Sequence, residues 1–543
     1  MTTTTRPAPR RSLPRLPLAR SVRRLPLAGP VLRQVGDAAD ATRVLARAGL
    51  LAPVRADRLL GMMLSLRYGL TPAAGYAACA ARHPAALALI DDEGALTFAE
   101  VTQASDELAA GYAARGLGPG TSAGLLARNG RGFLVPLVAL AKTGADIVLL
   151  NTGMAGPQLA EVIERERIVA AVCDEEFAAA LPPALTRLPA AAPADPRTPA
   201  FRPPRSTGKI IVLTSGTTGV PKGAARGVSG LGPAIAMLGA IPFRARQRTV
   251  LPAPLFHAWG MANLGLAMLL GSTVVLHRRF DPGQVMADVA RHRASTIAAV
   301  PVMLQRILEA GGDHDTSSLR VVAVSGSALP ATLAESFQDR YGDVLYNLYG
   351  STEVGYATIA GPRDLRADPA TAGRVLRGVT VTLVDDQGRE VGAGDSGRVF
   401  VGSEMAFEGY TGGEDKLRLG ALVSTGDTGH FDAAGRLRID GRDDDMVVSG
   451  GENVFPGEVE DVIAAMPGVR DVAVVGVPDE RFGQRLAAFV VAEGVSADAV
   501  QAHVKSRLAS YKVPREVTFC RQLPRNATGK VLRGQLQEGT LEG

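Results

Sequence analysis

Ile210-Ile-Val-Leu-Thr-Ser-Gly-Thr-Thr-Gly-Val-Pro-Lys-Gly223 is an apolar run that passes straight into a loop of hydroxyls, glycines and one lysine. Four branched or long apolar residues in succession fit a strand buried on both faces, as in a parallel sheet. The loop that follows has what an anion cradle needs. Gly216 and Gly219 let the backbone turn its N–H groups inward, while Thr214, Ser215, Thr217, Thr218 and Lys222 add donors. A triphosphate suits such a loop. The spacing is not that of a P-loop, because Pro221 precedes the lysine and Gly223 follows it. An ordinary surface turn is the competing reading, but so many phosphate-loop residue types directly after a buried strand argue against it. Lysine is also scarce: of 59 basic residues only seven are lysines, so one kept in a glycine-rich loop is not casual surface charge.

Similar apolar runs extend outward from this stretch. Residues 87–175 alternate short apolar segments (88–90, 122–126, 147–150, 169–172) with helical patterns, and strand-like runs recur at 209–213, 274–276, 296–300, 321–324 and 344–348. Strands alternating with helices predict α/β architecture with parallel sheets. Residues 55–85 read as helical, with Leu59, Leu60, Met63, Leu64 and Leu66 on one apolar face, and 181–205 read as an Ala/Pro-rich connecting loop. Between about 373 and 440 the pattern becomes short strands with glycine turns, predicting a small β subdomain. After the polar break at 440–445, residues 455–543 read as helix, strand, strand, helix and short strand, an α+β unit large enough to fold alone.

With 543 residues, 46% of them hydrophobic and 21% charged, the chain is globular and holds several domains. Three scattered cysteines, Cys79, Cys173 and Cys520, exclude a disulfide framework and fit a reducing, cytoplasmic setting. The net charge of +5 hides an asymmetry: residues 1–36 hold eight arginines and no acid, so the remainder carries −3. The body is therefore not a nucleic-acid-binding surface, and the basic segment has no aromatic residue to stack on bases. That segment reads as a poorly ordered leader over 1–50; peripheral contact with an anionic membrane surface is the sharper alternative. A transit peptide would want more serine. The uncharged stretch 249–277 contains Pro252, Pro254, His257 and Asn263, and reads as turn, buried helix and strand rather than a membrane span.

Three further segments carry chemistry. Tyr349-Gly-Ser-Thr-Glu353 follows a strand; a tyrosine there can stack on a base, and a hydroxyl and carboxylate just beyond can meet a phosphate and a divalent cation. Ser424-Thr-Gly-Asp-Thr-Gly429 reads as a glycine turn whose aspartate either caps its own loop or accepts two ribose hydroxyls, with Arg442 beside it. Arg525-Asn-Ala-Thr-Gly-Lys530 sets a lysine in a turn near the C-terminus, by default solvated.

In this order, from about residue 80 to 535, these segments resemble the adenylate-forming superfamily of acyl-CoA synthetases, peptide-synthetase adenylation domains and luciferases, and most of all actinobacterial-type fatty-acyl-CoA ligases. The resemblance implies an α/β fold: a large N-terminal part (51–440) of two α/β subdomains plus a β subdomain, a hinge (441–445) with Asp444 at its centre, and a small mobile α+β C-terminal domain (446–543). It implies ATP, Mg²⁺ and coenzyme A. Thr214, Ser215, Gly216, Thr217, Thr218, Gly219 and Lys222 would wrap the β- and γ-phosphates. Tyr349 would stack on adenine opposite Gly326, Ser327 and Ala328, with Gly350 and Ser351 beside it. Thr352 would touch the α-phosphate, Glu353 would hold Mg²⁺, Asp427 and Arg442 would bind the ribose, and Lys530 would drive adenylation. Ser449, Gly450 and Gly451 would line the pantetheine tunnel.

His257, Trp259, Gly355 and Tyr356 would line the acyl pocket, with Met261, Ala262, Leu329, Val354 and Ala357 nearby. That lining is apolar and carries no fixed charge, so an acid with an uncharged acyl tail, a medium- to long-chain fatty acid, is the implied substrate. An aryl acid, or transfer to a carrier protein in place of CoA, are the alternatives. Fatty acyl-AMP ligases of the carrier-loading kind have an insertion ahead of the C-terminal domain, and 360–440 contains no extra segment.

Overall fold

The structure, a computed structural model, describes residues 28–191, 201–214, 222–225, 231–407, 409–411, 416–442, 447–449, 452–479, 483–526 and 529–538. Of residues 28–37, 214, 222, 224, 225, 448, 449, 452, 453, 483 and 510 it describes the backbone alone.

The strand Ile210–Thr214 lies in a six-stranded sheet. On one side it runs parallel to Asp146–Leu149, with Ile147 opposite Ile210. On the other it pairs antiparallel with Lys222–Ala225, Thr214 directly opposite Lys222. The segment 215–221 therefore connects two paired strands. A P-loop instead feeds a helix, which agrees with the departure in spacing.

A nine-stranded sheet forms the second half of the large body. Its middle four strands, Leu345–Ser351, Val321–Val324, Thr296–Ala299 and Arg248–Val250, are neighbours and all parallel. Their carboxyl ends open on one edge, the usual place for a ligand in such sheets. The helix Arg131–Thr143 is buried from Phe133 to Thr143 and shares one apolar core with strands of both sheets. Its sequence Phe-Leu-Val-Pro-Leu-Val-Ala-Leu-Ala has no polar face to offer water, which is why it is enclosed on every side. Its one ammonium, Lys142, is satisfied by Thr102 O, Ser105 Oγ and Asp106 Oδ1 at 3.0, 2.8 and 2.7 Å.

A five-stranded antiparallel sheet over 380–442 packs against Tyr349 and Val354. The C-terminal unit forms a sheet around the long hairpin of Val469–Asp479 and Gly483–Ala492, with helices Pro456–Ala464, Ala497–Lys505 and Arg533–Gln537. It rests on the large body: Gln305 Nε2 donates to Arg470 O at 3.0 Å, and Gly529 lies against Val302.

Several expectations are corrected. The leader does not extend to residue 50: Ala28–Ala48 is a helix whose Val44, Leu45 and Ala48 join the main core, and Arg377 pairs with its Asp40 at 3.0 Å. The helical stretch 55–85 is broken. Helix Ala56–Ser65 and a 3₁₀ turn, Leu66–Tyr68, end at Gly69 (φ 64°), and helix Pro72–Arg82 starts after it with Thr71 as N-cap. The 181–205 loop contributes an edge strand, Thr186–Leu188. Residues 424–429 are not a turn: they lie within the ten-residue strand Leu422–Phe431. The stretch 249–277, by contrast, holds the expected helix, Ala258–Leu269, and strand, Thr273–Val275. No described helix is long and apolar enough to cross a membrane.

Candidate active site

The edge where the parallel strands end collects the side chains singled out in the sequence. Tyr349 lies inside strand Leu345–Ser351 rather than after it, one step before a bulge in the pairing with Gly355–Ala360. Its Oη donates to Asp427 Oδ2 at 2.5 Å and lies 3.1 Å from Thr425 Oγ1. Asp427 reaches it from strand Leu422–Phe431, where the neighbouring strand Leu437–Arg442 sets Arg442 directly opposite. Burial pushes the Asp427 carboxyl above its ordinary value; the hydrogen bond from Tyr349, Arg442 and Lys530 oppose that rise. Tyr349 is raised as well, by its own burial and by Asp427. Tyr349 thus forms one polar wall with Asp427, 78 residues further along the sequence, and with Arg442.

Glu353 follows two residues after that strand. Its N–H donates to Ser351 Oγ at 3.2 Å, and its Oε1 accepts from Tyr410 Oη at 2.7 Å. Burial alone would raise its pKa, but donation from Tyr410 and Ser351 and the charge of Lys416 hold it below the usual carboxylate value. An ionised, half-buried carboxylate held by neutral donors is a hard oxygen ligand with lone pairs to spare, so Glu353 fits a Mg²⁺ ion. Tyr410 is a site residue that sequence reading passed over; its only signal was the adjoining Gly409 and the Gly412-Gly413 pair. Thr425 was passed over as well.

Lys530 enters from the C-terminal unit. The turn that carries it is tied down: Arg525 pairs with Asp471 at 2.7 Å and donates to Gly529 O at 2.6 Å, and Lys530 N–H donates to Asn526 Oδ1 at 2.9 Å. Gly529 has φ 78°, and a Cβ there would lie 2.3 Å from Val302 Cγ1 at the start of helix Pro301–Ala310. The turn thereby brings Lys530 close enough to Asp427 to favour its ionised form.

The acyl-pocket candidates also come together. Trp259 and Tyr356 meet edge to face, centroids 5.8 Å apart, and Trp259 Nε1 donates to Ala299 O at 2.8 Å. Gly355 (φ 77°) leaves space that Met405 fills, since a Cβ would come within 2.5 Å of it. His257 is half-buried at the N-cap of the Trp259 helix, its Nε2 enclosed; desolvation pushes its pKa down to about 4, and Nε2 has no hydrogen-bond partner among the described residues. A neutral imidazole with a vacant nitrogen can meet a polar group of a substrate without adding charge. Asn129, also unforeseen, braces the approach to this helix by donating to Ala253 O at 3.0 Å and accepting from Leu255 N–H at 2.9 Å.

After strand Val321–Val324 come Ser325, Gly326 (φ 97°), Ser327 and Ala328, on the same edge as Tyr349. Gly350 must be glycine, since a Cβ would sit 1.9 Å from Gly355 O. Ser351 and Thr352 lie between Gly350 and Glu353. Ser215, Gly216, Thr217, Thr218, Gly219, Asp444, Gly450 and Gly451 lie outside the described residues, and Thr214, Lys222 and Ser449 are described by backbone alone.

A family model described as AMP-binding enzyme matches residues 76–411, and one described as AMP-binding enzyme C-terminal domain matches 458–530. A feruloyl-CoA synthase of an Amycolatopsis species is 34% identical, aligned over 84% of this chain and 96% of its own. A long-chain-fatty-acid–CoA ligase of Mycobacterium tuberculosis is 30% identical, over 82% and 93%. The solved structure of o-succinylbenzoate CoA synthetase from Bacillus subtilis, in complex with ATP and a magnesium ion, superposes with a TM-score of 0.77 at 28% identity, covering 85% of this chain and 98% of that one.

Proposed function

Since the chain belongs to the AMP-binding enzyme family, we propose that it activates a fatty acid of medium to long chain, with an uncharged acyl tail, as an acyl adenylate and passes the acyl group to coenzyme A. At the coarser level it is an ATP-dependent acid–thiol ligase that works through an adenylate. The observation that supports this reading is the convergence of Lys530, Asp427, Tyr349 and Glu353 on one sheet edge, with Tyr356, opposite Gly350 in the next strand, packed edge to face on Trp259.

A carboxylate is a poor electrophile, so a thioester requires activation. In the first step a carboxylate oxygen attacks the α-phosphorus of ATP. The new O–P bond forms as the bond to pyrophosphate breaks, and pyrophosphate leaves with the electron pair. Negative charge grows on the phosphate oxygens, and a fixed cation aimed at them gives the strongest stabilisation the protein can supply. Lys530 is that cation. Asp427 and Arg442 hold the ribose, Tyr349 covers the adenine, Thr352 meets the α-phosphate, and Thr214 to Lys222 wrap the outer phosphates. Glu353 would hold Mg²⁺, which when bound supplies further neutralisation of phosphate charge. In the second step the CoA sulfur attacks the acyl carbon, the acyl–oxygen bond breaks and AMP leaves. The C-terminal domain turns about Asp444 between the steps, withdrawing Lys530 and presenting 449–451. No protein nucleophile takes part.

One observation favours an aromatic acid as second reading: Trp259 and Tyr356 make an edge-to-face wall that a planar ring can join. Acid-dependent ATP–pyrophosphate exchange over a panel of alkyl and aryl acids, followed by CoA addition, tests both. Exchange with alkyl acids, lengthening the chain raising it, supports the fatty-acid reading. Exchange confined to aryl acids replaces it, and release of inorganic phosphate without an acid overturns ligase activity altogether.

A further inference from the structure

The helix Ala56–Ser65 is turned inside out. Its small residues face the protein: Gly61 meets the helix Pro72–Arg82 so closely that a Cβ would lie 2.8 Å from Ala81 Cβ, and Ser65 is 4% exposed. Its large apolar residues face outward. Leu59, Leu60, Met63 and Leu64 are 48, 61, 61 and 55% exposed, and Leu66 and Leu70 just beyond are 62 and 54% exposed. Six large aliphatic side chains on one contiguous stretch, uncovered by any described residue, are far from the single scattered exposures that water-facing surfaces carry. A helix that buries Ser65 and packs Gly61 closely while leaving its leucines in water forgoes the stabilisation those leucines would gain from an apolar partner.

Charge says what that partner is. Residues 1–90 contain fourteen arginines, three aspartates and no lysine or glutamate, a net +11, so the rest of the chain carries −6. Arg55, Arg58 and Arg67 border the apolar face directly, with Asp57 as the one acid on that helix. A second copy of the same face would bring like charges together. The chain's own residues 1–27, with seven arginines and no acid, would do so as well. An anionic lipid surface offers both things the face lacks: hydrocarbon for the leucines and negative headgroups for the arginines. The face is joined by packing to the helix that carries Trp259. Helix Pro72–Arg82, on which it rests, packs on helix Ala258–Leu269 through Cys79 Sγ, 3.2 Å from Met268 O, and that helix carries Trp259 in its first turn.

We propose that Leu59, Leu60, Met63, Leu64, Leu66 and Leu70 insert into the interface of an anionic bilayer, with Arg55, Arg58 and Arg67 at headgroup level. This docking is independent of which acid is activated. It is tested by flotation of the full-length protein with phosphatidylglycerol/phosphatidylcholine vesicles and with phosphatidylcholine vesicles alone, alongside the double variant Leu60→Ser, Met63→Ser. The wild type should float with the anionic vesicles and release as salt is raised. The variant should bind them at least about tenfold more weakly, while keeping wild-type ATP–pyrophosphate exchange with a water-soluble acid. Failure of the wild type to float, equal flotation of the variant, or equal binding to the neutral vesicles each overturns the proposal. So does a vesicle-free dimer of the wild type that the variant abolishes while neither protein floats, which would assign the face to a second copy.

Discussion

Tyr410 holds the Glu353 carboxylate with one hydrogen bond of 2.7 Å. Hydrogen bonds to a charged group contribute about 1.5–3 kcal/mol, so Tyr410→Phe should cost roughly ten- to a hundredfold in the Mg·ATP concentration dependence of exchange. The CoA step from supplied acyl adenylate should be spared. Initial rates across a magnesium and ATP matrix check this; an unchanged ATP dependence would remove Tyr410 from the site. The contrast between Tyr410 and Tyr349 shows what a sequence can tell at this scale. Tyr349 sits in a compact run with Ser351, Thr352 and Glu353, whose chemistry shares one short segment and can be read together. Tyr410 is 57 residues from its partner, and no spacing rule links them. Asp427 is intermediate: its residue type was legible, its backbone was not. Ser, Thr, Gly and Asp are turn formers by local propensity, yet pairing on both sides makes 424–429 a strand, with Gly426 at φ 80°. The side chains of the phosphate-loop candidates, Thr214 to Lys222, lie outside the described residues, and their role is part of the proposal.

Between elements, two contacts give further predictions. His277, after strand Thr273–Val275, bonds Asp92 through Nδ1 and Asp288 through Nε2, the latter at 2.5 Å, so it ties the turn after strand Leu87–Asp91 to helix Pro282–His292. The hydrogen bond to Asp288, then that to Asp92, raise its pKa to about 9 against the cost of burial. A histidine raised on folding stabilises fully below its unfolded value of about 6.5 and loses that contribution as pH climbs through the folded value. His277→Gln should therefore lower Tm by roughly 2–4 °C at pH 6, and the gap should close above about pH 10; thermal melts at the two pH values decide it. The second contact is Gly529 against Val302. Gly529→Ala adds a Cβ where 2.3 Å is available, at a left-handed φ. It should displace the Lys530 turn, reducing adenylate formation about tenfold or more and leaving the CoA step near wild type. Equal loss in both steps would mean that the turn serves stability rather than positioning. Strand and helix order was largely readable at this scale, because buried parallel strands are unbroken apolar runs. The face of Ala56–Ser65 was not: periodicity reports that leucines share one side of a helix, and says nothing about whether that side meets protein.

At the scale of the molecule, the four segments were legible because each groups unusual polar chemistry in a short run, and their order along the chain matches a two-part machine. The outcome depends on pieces more than a hundred residues apart meeting at one edge. Asp427 and Lys530 belong to different units, and only the docking of the C-terminal unit on Val302 and Gln305 brings the ammonium toward the nucleotide wall. The same division predicts how the two half-reactions separate. The most direct test is Lys530→Ala, followed in single turnover with the preferred acid, ATP and magnesium, and separately with supplied acyl adenylate and CoA. Adenylate formation should fall on the order of 10²–10³-fold, with thioester formation from the adenylate retained. A variant that is folded yet still forms adenylate at the wild-type rate, or that loses both steps alike, contradicts the account.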